Sequence, residues 1–160
     1  DMELETAVRR HLLADATVAS LTSKQVWKYR LEERLDGTGK AAVVVRRDGG
    51  WSQPNELRPN EFPLLVVDCY ADVSRDEYRN ALMLDAEDRA SALYRAVDRA
   101  LLAPGRGQWW GGYGSDRGLM VNSVQRWGEP VFISQADQHS GAPLGDVVYM
   151  QARYGFDVVH

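Results

Sequence analysis

A single cysteine, Cys69, stands in 160 residues, so an intrachain disulfide framework and a Cys-rich zinc site are both excluded. The three histidines, His11, His139 and His160, are scattered, and none has a second histidine at metal-ligand spacing. Long apolar runs are missing as well. The longest, Ala41 to Val45 and Phe62 to Val67, fall far short of the ~18 residues of a membrane span. There is no basic excess: 19 Lys plus Arg against 23 Asp plus Glu give a net charge of −4, the wrong sign for a protein whose main work is coating nucleic acid. Each half of the chain carries two more acids than bases, so neither half is a charged tail. No low-complexity tract and no repeat of about 20–50 residues occurs, which removes solenoids and propellers. The opening Asp-Met-Glu-Leu-Glu lacks the basic-then-apolar order of a secretory signal, so an intracellular protein with no membrane partner is expected.

What is present is an ordinary globular composition. Hydrophobic residues at 44% and charged residues at 26% sit near the averages of folded domains, and the length suits one domain. A chain of this size buries roughly 68–70% of its unfolded surface, enough to fold without metal or disulfide staples.

Leu4, Val8 and Leu12 recur every four residues, with Glu3, Glu5, Arg9 and Arg10 on other faces, and predict an amphipathic helix. Asp15 is placed to cap a short second helix through Val18 and Leu21. After Ser23 the period becomes two: Val26, Lys28 and Arg30 alternate with Trp27, Tyr29 and Leu31, a half-buried strand with Trp27 and Tyr29 in the core. Asp36-Gly37 and Gly39 then turn the chain into Ala41 to Val45, so a hairpin is expected, its second strand ended by Arg46, Arg47 and Asp48-Gly49-Gly50. Residues 64–71 are apolar on both alternating faces, as a central strand requires. Ser74 and Glu77 fit a capping box for a helix over about 76–102, which carries Tyr78, Leu82, Ala86, Ala90, Leu93, Val97 and Leu101 on one side, has room for a break near Asp85, and stops at Pro104-Gly105.

Six glycines between 105 and 118 argue against any regular element there. Strands resume over Leu119 to Trp127 and Val131 to Ile133. In the last strand Val148, Met150, Ala152, Tyr154, Phe156 and Val158 oppose Tyr149, Gln151, Arg153 and Asp157, so one face is buried. Strands on both sides of one major helix predict an α+β class. The sheet is mainly antiparallel or mixed, with one long helix packed on a face and a short N-terminal helix. A single domain over 1–160 is expected, with long loops at about 48–61, 105–118 and 134–145.

No catalytic, cofactor-binding or metal-ligating residue is assigned. Gly39-Lys40 lacks the glycine five positions earlier, where Arg34 stands, and the hydroxyl residue after it, where Ala41 stands, so it is a turn lysine. The glycines of 105–118 do not follow dinucleotide spacing. Asp137, His139 and Asp146 share a polar loop and read as solvated; Ser115 and Ser140 lack a nucleophile elbow. Cys69, among aliphatic residues, reads as packing. The acids Asp85, Glu87, Asp88 and Asp98 read as ion-pair partners of Arg89, Arg95 and Arg99 on a wet helix face. Lys28, Arg30, Arg46 and Arg47 are candidates for a small basic stripe near Trp51; charge that discourages edge pairing is the alternative.

Four aromatic residues, Trp51, Trp109, Trp110 and Tyr113, sit among glycines, prolines and charges rather than in periodic segments. They form a protein-contact surface or fold back over their own sheet. Trp109 and Trp110 are adjacent, and neighbours in an extended segment point opposite ways, so both are buried only if something covers the outer one.

The succession of segments resembles the tail-terminator, or minor tail (tail-completion), proteins of long-tailed bacteriophages. The residues that carry the likeness are the N-terminal helix through Leu12 and Leu13 with Val18 to Leu21, then Val26-Trp27, and Ala42 to Arg46 ahead of Asp48-Gly49-Gly50. It continues through Pro63 to Ala71, Ala86 to Leu101 and Asp146 to Val158. Asp72 to Leu84 and Gln135 to Gly145 depart from the compact pattern. The resemblance implies a structural virion protein made in the host cytoplasm and placed at the head-proximal end of the tail. There it forms a ring, a hexamer in this family, that stops tail-tube polymerisation and offers a docking surface to the head. Its partners are copies of itself, the tail tube protein and a connector or head-closure protein, with DNA only as passing cargo and no cofactor. The rival readings are another neck or head-closure component and a nucleic-acid-processing enzyme. The four aromatics are the candidate interface residues.

Overall fold

A computed structural model describes residues 2–32, 35, 38–52, 60–134 and 147–159. The helices are α1 (Leu4–Ala14), α2 (Ala16–Thr22) and α3 (Met83–Leu102). The strands are β1 (Val26–Lys28), β2 (Ala41–Ser52), β3 (Asn60–Asp72), β4 (Gln108–Tyr113), β5 (Asp116–Arg126), β6 (Val131–Ser134) and β7 (Val147–Val159). They form one sheet in the order β1-β2-β3-β7-β5-β4, with β6 also on β7. The class is α+β, as the alternation of strands with one long helix predicts.

Period-two patterning builds the centre of the sheet. Val148, Ala152, Tyr154, Phe156 and Val158 of β7 are buried on the face that meets the helices, together with Leu65, Val67 and Cys69 of β3 and Val43 and Val45 of β2. The period of α1 presents Leu4, Val8 and Leu12 to them, and α3 presents Leu93, Val97 and Leu101. Each such side chain contributes about 1.5–3 kcal/mol by leaving water. Asp15 caps α2, its carboxylate accepting from the Val18 N–H at 3.0 Å.

Several elements differ from the sequence expectation, each for a tertiary reason. β1 pairs with β2 in parallel, Val26 opposite Val43, so no hairpin joins them. Val26 is the buried residue; Trp27 is half-buried and Tyr29 exposed. Arg9 of α1 donates to the Val26 carbonyl at 2.6 Å, and Lys28 reaches Thr6 of α1 and Glu3 just before it, which turns the Val26/Lys28 face inward. Tyr29 adopts φ 70°, which ends the strand after three residues.

β2 does not stop at Asp48-Gly49-Gly50. A bulge between Arg47 and Gly50 carries it on to Ser52. The long helix starts at Met83, and no capping box forms. Instead the Asp76 carboxylate accepts the N–H groups of Tyr78 and Asn80 at 2.9 and 2.8 Å, closing a turn in which Arg75 bridges to Ala81. Arg89 and Asp98 of α3 find partners on other elements rather than along the helix. Arg89 donates to the Asp72 carbonyl at 2.6 Å, and Asp98 accepts from the Tyr154 hydroxyl at 2.8 Å with Arg126 at 3.7 Å.

The tract expected as a loop over 105–118 is instead a β-hairpin of β4 and β5, with Trp110 opposite Leu119 and Gly111 opposite Gly118. Its glycines serve close approach. Gly111, at φ 73°, lets α1 come so near that an added Cβ would stand 2.7 Å from the Ala7 Cα, and at Gly118, φ 93°, it would collide with the Trp110 carbonyl. Of the loop expected at 48–61, residues 48–52 belong to β2 and 60–61 to β3, and 53–59 lie outside the described residues, as does the 135–146 stretch holding Asp137, His139 and Asp146.

Gly111→Ala is expected to lower stability by about 2–4 kcal/mol, the sum of left-handed backbone strain and overpacking against α1. Gly114→Ala, also at positive φ but with nothing within 4 Å, is expected to cost about 1 kcal/mol. Chemical denaturation of the two variants checks the difference.

Candidate functional site

The β4–β5 hairpin forms one edge of the sheet, and alternation along β4 sends its two tryptophans to opposite sides. Trp110 is only 2% exposed. Its ring stacks on His11 of α1 with centroids 3.8 Å apart and 8° between planes, and meets Phe156 of β7 edge-on at 5.8 Å. The His11 Nε2–H donates to the Ala100 carbonyl at 2.7 Å, joining α1 to the end of α3. Burial pushes the His11 pKa below its ordinary value, against the opposing pull of the Ala100 carbonyl and the Asp15 charge.

Trp109 faces outward and is 50% exposed, with the Arg117 guanidinium 5.9 Å from its ring centroid. Tyr113 is 76% exposed, with Arg10 5.4 Å from its ring. Arg10 also donates to the Gly111 carbonyl at 3.2 Å. Each exposed ring thus carries a cation, a contact worth about 0.5–1 kcal/mol at a wet site. Trp51 pairs its backbone with Phe62, and its side chain lies outside the described residues.

Of the four aromatic candidates, the hairpin therefore gathers Trp109 and Tyr113 on the surface, whereas Trp110 belongs to the chain's own core. The four bases do not assemble into a stripe. Lys28 pairs with Glu3 at 3.0 Å, and Arg30 is exposed beyond the end of β1. Arg46 and Arg47, as strand neighbours, take opposite faces: Arg46 reaches Asp68 at 3.4 Å, and Arg47 reaches buried Glu5 of α1 at 2.8 Å. Three of the four thus face carboxylates of their own chain rather than an open groove.

On the sheet face away from the helices, the buried Asp68 carboxylate accepts from Gln151 at 2.9 Å as well as from Arg46. Burial raises its pKa while both partners draw it down. The same face holds a groove of about 500 Å³ lined by Gly50, Phe62, Leu64, Trp127, Gly155 and Asp157 among others. Residues 127–130 bulge between β5 and β6, and the Trp127 N–H donates to the Arg153 carbonyl at 2.8 Å. This places the indole on Gly155, where any Cβ would collide with it. One Asp157 oxygen accepts from Asn122 at 2.9 Å; the other is buried without a hydrogen-bond donor among the described residues.

Sequence reasoning missed this groove. The available signal was Gly155, the one residue without a side chain in a strand of large residues, set against the aromatic turn Trp127-Gly128. Among the described residues no three of His, Cys, Asp and Glu gather as a metal-holding group. Nor is any described helix long and apolar enough to cross a membrane. Cys69 is fully buried, which pushes its thiol pKa up.

No protein-family model matches the sequence, and no curated protein matches it. In fold, the chain is similar to a chain of the solved structure titled "Virion of native gene transfer agent (GTA) particle", with a TM-score of 0.60. The correspondence covers 98% of this chain and 95% of that one at 15% sequence identity.

Trp110→Ala is expected to cost about 3–5 kcal/mol of stability, as for other buried aromatics, while Trp109→Ala stays within about 0.5 kcal/mol of the parent in denaturant unfolding. Because the folded pKa of His11 lies below its unfolded value, the unfolded chain binds its proton first. His11's contribution is fully present above about pH 6.5 and is lost as pH falls from there through the folded pKa. The pH dependence of unfolding on the acid side of neutrality is therefore expected to flatten in His11→Gln.

Proposed function

We propose that this chain is a structural subunit of a phage-like virion, and that it serves there as the tail terminator. Copies close into a ring, six in number, on the head-proximal end of the finished tail tube, stop its growth and present a docking surface to the connector or head-closure protein. The observation that carries this reading is the correspondence of fold, over nearly the whole of both chains, with a chain of a gene transfer agent virion. The order of segments that resembles tail terminators agrees with it. So does the exposure of Trp109 and Tyr113, large rings that the subunit's own core leaves on the surface.

The physics of a cap is simple. A head-to-tail contact whose rotation closes makes a ring, whereas one that does not close makes a filament. A ring with one face shaped for the tube and a different face outward leaves the next tube subunit nothing to bind. DNA then passes through as cargo, and a net charge of −4 per subunit disfavours its adhesion.

Deletion of the gene in a particle-producing cell, followed by electron microscopy, tests the assignment. Overlong, headless tail tubes are expected. Capped tails of normal length without heads would instead indicate a head-closure component, and unchanged particles would remove the virion role. Salt-sensitive DNA binding or substrate turnover by the purified protein would favour a nucleic-acid-processing enzyme.

A further inference from the structure

We propose that the outward face of the β4–β5 hairpin of one copy docks on the acidic stretch 75–88 in the next copy, the turn before α3 together with the start of α3, so that one repeated, charge-matched contact closes the ring. This contact presupposes the ring put forward above and assigns it two surfaces.

The first surface is basic and aromatic. Trp109 and Tyr113 stand out from the hairpin under Arg117 and Arg10, and Arg106 is exposed where the chain enters β4. The hairpin's acid, Asp116, is turned onto its own backbone, accepting the Gly118 N–H at 2.9 Å.

The second surface is acidic and apolar. Tyr78 and Leu84 are 77% and 75% exposed, beside exposed Glu77, Asp85 and Asp88. Residues 75–88 carry five acids against two bases, and one of those bases, Arg75, donates back to the Arg79 carbonyl at 3.0 Å. Each surface therefore offers two large apolar side chains framed by charge, and the framing charges are of opposite sign.

The signs choose the symmetry. Hairpin on hairpin sets arginine against arginine, and helix start on helix start sets carboxylate against carboxylate, so a two-fold pair through either surface is penalised. Hairpin on helix start joins unlike charges while the apolar side chains leave water together. That contact is heterologous, the kind that makes rings.

The positions agree. Met120 of β5 pairs with Val159, so the hairpin tip lies beyond the C-terminal end of β7. The start of α3 lies over the other end, where Ala86 packs with Ala71 and Val148. The 13 residues of β7 separate the two ends by roughly 40 Å. One copy is thus able to engage two neighbours at once.

The test uses two charge-reversed chains in the deletion background, Arg106→Glu/Arg117→Glu and Glu77→Lys/Asp88→Lys. Either alone puts like charges across every contact, and is expected to leave tails overlong. Expressed together they are expected to restore normal tail length, because in an alternating ring of even number every contact again joins unlike charges. Capping by either variant alone, or no rescue by the mixture, would overturn the contact. Thermal unfolding of each variant accompanies the assay. Arg117→Gln and Asp88→Gln, which remove charge without reversing it, replace any reversal that fails to fold; they are expected to reduce capping several-fold, and full capping by both would equally overturn the contact. The deletion itself separates the two ideas. Normal tails without the gene remove ring and contact together, whereas overlong tails that a reversed variant still caps leave the ring standing and remove only the contact.

Discussion

The stack of Trp110 between His11 and Phe156 is the constraint on which the rest of the sheet edge depends. β4 is an edge strand rich in glycine, and an isolated hairpin of that composition has little reason to hold its shape. It is held because one indole is inserted under α1, where a histidine bonded to the end of α3 closes over it. Gly111 makes the insertion possible by admitting α1 to near backbone contact. Once Trp110 is inside, strand alternation leaves Trp109 no choice but to face outward. The exposed aromatic surface is thus a consequence of core packing one residue away.

The same dependence of surface on core runs through β7. Its inward residues fill the helix side of the sheet, while its outward residues, Tyr149, Gln151, Arg153 and Asp157, build the opposite face. Tyr154 carries both roles: its ring is buried and its hydroxyl donates to Asp98 of α3, which Arg126 of β5 also approaches. Helix, central strand and hairpin strand meet at that carboxylate. A helix tied this way cannot slide along the sheet without leaving a charge unpaired in a partly dry site.

What was legible in the sequence was whatever depends on near neighbours. The four-residue period of Leu4, Val8 and Leu12, the alternation from Val148 to Val158, the apolar run of β3 and the Asp15 cap are local patterns, and all stand in the structure. What escaped is set by distant residues. That β1 lies parallel to β2 depends on α1 reaching over to Val26 and Lys28. That Arg46 and Arg47 split between Asp68 and Glu5 requires knowing what lies above and below β2. The glycines of 105–118 looked like loop because close backbone approach and turning leave the same mark in a sequence. Alternation showed that Trp109 and Trp110 part company, but only His11 and Phe156, far away in the chain, decide which of them is buried.

Keeping the two exposed surfaces apart also bears on how the proposed contact would be avoided between free copies. An exposed aromatic edge strand is ordinarily a hazard, since it invites a second edge to pair with it. Arg117 and Arg10 set charge over the very rings that would drive such pairing, and the net negative charge of the chain keeps free copies apart in general. A contact that needs both apolar burial and opposite charge is weak between two free copies, because each pair closes only one interface and loses translational and rotational freedom in doing so. On a template that already holds the neighbours in place, that loss is smaller for each added copy, and the last copy closes two interfaces at once. For the contact proposed above, an attraction too modest to hold two free copies together would then suffice to complete a ring on a template.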